Sequence, residues 1–172
     1  GDELARELAP QAYRELAGSD IGCCPGWRFG TTILPGPIRV EDVYDAMKPT
    51  PTPLYTASLS GRQLRETMED IIDNVFAADP LLRLGGELSR CAGVRTYFKK
   101  DAPRGGRVTR ALVGERPLGD GRYSIGTSGG RTQYRDPEHA TGTRPAVELL
   151  IDYIRARSPI SAEPDPSFVL EG

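Results

Sequence analysis

The chain has 172 residues, 38% hydrophobic and 27% charged, with a net charge of −2; a domain of this size buries about 70% of its unfolded surface and needs no staple to fold. No apolar run approaches the ~20 residues of a membrane span; no signal-peptide pattern is read in these residues, and a start at Gly1 without Met makes that uninformative about targeting. Arg83 to Arg135 carries twelve Lys/Arg against four Asp/Glu, a basic middle that either draws anions or lines solvent-facing strand positions; without a basic helix or interleaved aromatics it argues against nucleic acid.

Asp2 to Leu16 places Leu4, Leu8 and Leu16 at a broadly helical period, with Pro10 as a kink or break. "SDIGCCPG" reads as a short strand entering a turn. "RVEDVYDAM" sets Val40, Val43, Tyr44 and Met47 on one helical face, and the alternate prolines of "KPTPTP" force extended backbone before a strand at "LYTASL". Gly61 to Phe76 is the clearest helix: Ser60 and Gln63 form a capping box, and Leu64, Met68, Ile71, Ile72 and Val75 form an apolar stripe. "GVRTYFK", "RVTRALV" and "GRYSIGTS" are three β-type runs divided by turn formers, which reads as an antiparallel meander. A last helix starts near Thr143 with Pro145 in its first turn and buries Val147, Leu150, Ile151 and Ile154. The order implies an α+β fold, helices packed on a mixed sheet. It spans one domain, 1–158, followed by a Pro-rich tail, 159–172, with a candidate short strand at its end.

Three cysteines do not make a disulfide framework. Cys23 and Cys24 are adjacent, so one of them with Cys91 is the only sensible bridge; both also read as small buried apolar residues or, second, as functional thiols. One His and no CxxC or HxxxH spacing argue against a metal site in this loop. "GTSGG", Gly126 to Gly130, matches G-x-S-x-G, with Asp136 and His139 following, but the elbow needs a helix directly after its Ser, where "GGRTQYRDP" reads as loop. The stronger candidate is "CCPGWRFG". There Pro25 and Gly26 make a tight turn that aims Trp27 and Arg28, and a guanidinium fork matches phosphate or sulfonate oxygens. The same local sequence also fits Trp27 in a core and Arg28 in a surface ion pair.

"SDIGCCPGWRFGTTILPGPIRVEDVYDAM", "LSGRQLRETMEDIIDNVF", "GGELSRCAGVRTYFK" and "RVTRALVGERPLGDGRYSIGTSGG" occur in the order of a known family. From Ser19 to Arg157 the chain resembles the C-terminal domain of the 5'-nucleotidase superfamily, closest to its sulfur-oxidation thiosulfohydrolase branch. The resemblance implies a substrate-recognition domain of a binuclear-metal ester hydrolase, with no cofactor and no catalytic residue in this chain. Two divalent metals, of manganese or zinc type, would lie in a separate N-terminal metallophosphoesterase domain, so the isolated chain is expected to be inactive. By that resemblance Arg28 matches the arginine of the family's "GGGIR" turn. The substrate-binding set is then Gly26, Trp27, Arg28, Gly129, Gly130 and Arg131.

The family's two base-stacking aromatics fall near Thr50 and Ile125 here, and Arg131 replaces an acidic residue. An anionic small molecule or a carrier-bound thiosulfonate fits those departures better than a stacked nucleotide. No membrane partner is expected, and the resemblance suggests a periplasmic or extracellular setting. The alternative is a stand-alone binding or scaffold module that keeps the fold without catalysis.

Overall fold

A computed structural model describes residues 7–24, 35–47, 52–83, 88–128, 140–161 and 165–172. Four α-helices are described, α1 (Ala9–Ala17), α2 (Val40–Met47), α3 (Gly61–Phe76) and α4 (Ala146–Arg157). The strands are β1 (Ile21–Cys24), β2 (Pro53–Ser60), β3 (Arg90–Ala92), β4 (Val94–Phe98), β5 (Val108–Val113), β6 (Arg116–Pro117), β7 (Arg122–Thr127), β8 (Ala140–Pro145) and β9 (Phe168–Leu170). One sheet has the order β3-β1-β7-β2-β8 and the other β6-β5-β4-β9. The architecture is the α+β arrangement that the pattern predicts. Among the described residues no helix is long and apolar enough to cross a membrane.

The five-stranded sheet is covered on both faces, and strand alternation decides which side chain goes where. Ile21 and Ile125 enter a core with Leu64, Met68 and Ile72 of α3 and Val94, Phe98 and Val108 of the second sheet. Cys24 and Leu54 enter the opposite core, with Tyr13 of α1, Val43 of α2 and Leu150, Ile151 and Ile154 of α4. The glycines of β1 and β7 let α1 lie directly on the strands. A Cβ on Gly22 would sit 2.0 Å from the Pro10 carbonyl oxygen, and one on Gly126 would sit 2.7 Å from that of Tyr13. No side chain fits there.

The second sheet is tied to α3 by a buried polar clamp. Glu69, 6% exposed, accepts backbone N–H bonds from Gly105 (3.2 Å), Arg107 (3.2 Å) and Val108 (2.7 Å). The Arg107 guanidinium, also buried, pairs with Asp73 and donates to the carbonyls of Ala102 and Phe76. Every charge in the clamp therefore has partners, the condition under which burial is tolerable.

Several elements differ from the pattern. Pro10 does not break α1; it occupies the first turn, where the missing N–H costs nothing. Val40 opens α2 in solvent, and Ala46 joins Val43 on the buried face. The meander is β4-β5-β6, while the run read as its third strand, β7, crosses to the other sheet and pairs parallel with β1 and antiparallel with β2. Thr143 and Pro145 belong to β8, with Pro145 capping α4. The chain end returns to the body, where β9 pairs parallel with β4 and Phe168 packs edge-on to Phe98.

The cysteines divide. Cys23 bonds Cys91 directly across the β1–β3 pair, with Cα atoms 4.2 Å apart. Cys24 remains a thiol, 2% exposed, in the α1 and α4 core. The small-apolar reading holds for Cys24 and is replaced by a covalent cross-link for Cys23.

Candidate functional site

β1 and β7 run parallel, with Cys23 opposite Thr127, so both strands end at the same edge of the sheet. The carboxyl ends of parallel strands are where open α/β sheets take ligands, because the chain there leaves in divergent loops above a fixed floor. "PGWR" follows Cys24 in sequence and "GGR" follows Ser128. Gly26, Trp27, Arg28, Gly129, Gly130 and Arg131 themselves lie outside the described residues, as do Thr50, Asp136 and His139. Gly126 and Thr127 of the "GTSGG" match belong to β7, and Gly126 lies beneath α1.

The edge is held by polar contacts that sequence reasoning did not single out. The Thr52 hydroxyl donates to the Ser128 carbonyl at 2.7 Å, and the Ala146 N–H that opens α4 donates to the Thr52 carbonyl. The main chain at Ser128 is thus tied to the segment that leads into β2. Burial pushes the Tyr13 phenol well above its ordinary range, so it stays neutral at physiological pH. On the outer flank, Arg90 of β3 stands opposite Cys24, the last residue of β1.

Ile125, near a family aromatic position by resemblance, is 1% exposed in the α3 core. A side chain at that position cannot stack on a ligand. At the other end of the strands, Asp20 accepts from the Ser124 N–H and hydroxyl, both at 2.8 Å. Those bonds hold its carboxyl below the usual carboxylate range. They latch the start of β1 to β7.

A separate cleft of about 480 Å³ runs between α1 and β3, lined by Glu7, Gln11, Arg14, Glu15, Gly93 and Asp165 among others. Its carboxylates have partners: Glu7 accepts the Asp165 N–H, Asp165 pairs with Arg95, and Glu15 pairs with Arg157. Among the described residues no group of three His, Cys, Asp or Glu side chains converges as a metal site.

The sequence model for the 5'-nucleotidase C-terminal domain matches residues 2–130. The chain is similar to the sulfate thiohydrolase SoxB of Thermus thermophilus, solved with glycerol, at 35% identity and a TM-score of 0.84, covering 96% of this chain and 31% of that one. It is similar in fold to a 5'-nucleotidase precursor, also of Thermus thermophilus, at 22% identity and a TM-score of 0.73, covering 98% and 35%. The trifunctional nucleotide phosphoesterase YfkN of Bacillus subtilis (strain 168) is 30% identical over 120 residues, 70% of this chain and 8% of the relative. The chain thus spans about a third or less of each of these proteins. With the matching family model over most of its length and a sheet edge of this geometry, the chain belongs to the 5'-nucleotidase C-terminal domain family.

Proposed function

We propose that this chain is the substrate-recognition domain of a binuclear-metal ester hydrolase of the 5'-nucleotidase and thiosulfohydrolase type, and that it binds a phosphate or sulfonate anion. The observation that carries the reading is the shared exit of β1 and β7 at one sheet edge, Cys23 against Thr127. The two segments that hold Arg28 and Arg131 begin there. Chain connectivity alone keeps Arg28 within about 14 Å of Cys24, since four residues span at most ~3.6 Å each. Two guanidiniums with their forked donors suit a tetrahedral oxyanion. Burial of Ile125 removes one stacking position, which favours a sulfonate or simple phosphate over a stacked base.

No hydrolytic step is proposed for this chain. The metals and the attacking water would belong to an N-terminal metallophosphoesterase domain, and this domain would orient the anion toward them. A carrier-bound thiosulfonate is the natural larger guest for the same site, given the likeness to a thiohydrolase. The Cys23–Cys91 bond suits a periplasmic or extracellular setting, where disulfides persist.

Calorimetric titration of the 172-residue chain with thiosulfate, sulfate, phosphate and AMP tests the reading. Saturable binding of thiosulfate or phosphate is expected, weakened about tenfold or more in Arg28→Ala by loss of a charge-assisted contact. AMP binding no tighter than phosphate is expected as well. The reading fails if Arg28→Ala binds as the parent does. It fails also if the chain alone hydrolyses a simple phosphate ester with added manganese.

A further inference from the structure

Large apolar side chains on the described surface are few, and one adjacent pair stands apart. Leu81 is 88% exposed and Leu82 60%, whereas Leu16, Val40 and Leu170 are each about half exposed or less. The pair belongs to a single 3-10 turn, Pro80–Leu82, between α3 and β3. The turn is braced. The Asp79 carboxylate accepts the Leu81 N–H at 2.9 Å, the Leu82 N–H donates to the Asp79 carbonyl, and the Arg83 N–H donates to that of Pro80. The Arg83 guanidinium ties the turn back to the end of α3, donating to the Ala77 carbonyl at 2.8 Å.

A leucine alone on a surface needs no explanation, but two neighbours held outward on a fixed backbone do. Such a projection loses little conformational freedom when a partner covers it, which is how apolar anchors at interfaces work. The chain spans about a third of its thiohydrolase and 5'-nucleotidase relatives, so roughly two thirds of such a polypeptide lies outside it. The turn leads into β3, which begins at the edge where β1 and β7 end, Arg90 opposite Cys24 and Cys23 opposite Thr127. An anion held at that edge must face the metals, so the domain that carries them stands over it.

We infer that Leu81 and Leu82 are an apolar contact with the N-terminal metallophosphoesterase domain, seated in a hydrophobic recess of that partner. The inference deepens the reading above and rests on its division of labour between two domains. It uses none of the residues assigned to the anion. Its content is an interdomain surface: the side chains that water surrounds in the isolated chain are covered in the longer polypeptide.

Leu82→Cys reads the contact. Cys24 is buried and Cys23 is bonded to Cys91, so the new thiol is the one that a maleimide reaches in the native chain. It should label fast in the 172-residue chain. In the native polypeptide with its upstream domain, labelling should be about tenfold slower or more, because access is closed. The double variant Leu81→Gln, Leu82→Gln should leave the melting temperature of the isolated chain within about 2 °C of the parent's, as exposed positions do. In the two-domain polypeptide it should lower the melting temperature or split the transition in two.

Equal labelling of the two forms overturns the inference. Slow labelling of the isolated chain overturns it too, since the leucines are then covered by this chain itself, and slow labelling only at high concentration makes a second copy the occupant. Calorimetry with thiosulfate on the same preparations separates the two claims. Anion binding with equal labelling leaves the functional reading standing and this inference refuted. Protection without anion binding keeps the contact and refutes the reading. A native polypeptide with no domain upstream refutes both.

Discussion

Glu69 sits on α3 between Met68 and Asp70, where an amphipathic pattern would leave a carboxylate in water. It is buried instead, and its oxygens collect three main-chain N–H groups from the turn between β4 and β5. Glu69→Ala would leave buried donors without acceptors, each costing about 1–3 kcal/mol. A loss of about 3 kcal/mol or more is expected in urea unfolding, and Glu69→Gln should recover part of it by keeping one acceptor oxygen. A change below 1 kcal/mol in the alanine variant would mean that water replaces the carboxylate. Nothing in "TMEDII" signals this role, because the partners are backbone groups 36–39 residues downstream. The roles of Arg28 and Trp27 remain a sequence inference, carried by the tight turn and by likeness to relatives.

The elements that announced themselves are those stabilised by local interactions. α3 was legible from end to end because its capping box and apolar stripe are both short-range features. Ser60 Oγ accepts the Gln63 N–H, and the Gln63 side chain accepts the Ser60 N–H at 2.9 Å. The fate of β7 was not legible. Its alternation suits either sheet, and what sends it to the five-stranded one is pairing with β1, about a hundred residues earlier. β8 was missed for a related reason, since Pro145 is a common first-turn residue of helices and here caps α4 from outside. The seating of α1 on β1 gives this scale its prediction. Gly22→Ala would drive a Cβ to 2.0 Å from the Pro10 carbonyl oxygen and 2.5 Å from the Arg14 nitrogen, both backbone atoms that cannot rotate away. A loss of about 3 kcal/mol is expected, a fall in melting temperature of about 6–12 °C for a chain of this size. A fall under 2 °C would show that helix and strand can separate freely.

At the scale of the molecule, one sheet serves two cores: α1, α2 and α4 cover one face, and α3 with the second sheet covers the other. The α+β class was legible because helical and strand periodicities alternate plainly, whereas the split into two sheets depends on long-range pairing that no local window contains. Six arginines of the basic middle proved to be structural: Arg83, Arg95, Arg104, Arg107, Arg110 and Arg122 each answer a nearby carboxylate, carbonyl or ring. The Cys23–Cys91 bond closes a loop across 68 residues, and such a closure contributes about 2–4 kcal/mol. Dithiothreitol should therefore lower the urea midpoint of the parent and leave that of Cys91→Ala unmoved; equal sensitivity of the two would place the effect elsewhere. The bond also gives each preparation a provenance. Protein harvested from a reducing cytoplasm and protein exported to an oxidising compartment share a sequence and a mass within two hydrogen atoms, yet differ in whether β3 is stapled to β1. Affinities measured on the two lots would disagree without any change in buffer or ligand. A thiol assay on the denatured chain, reading one equivalent or three, tells which molecule is in the cell.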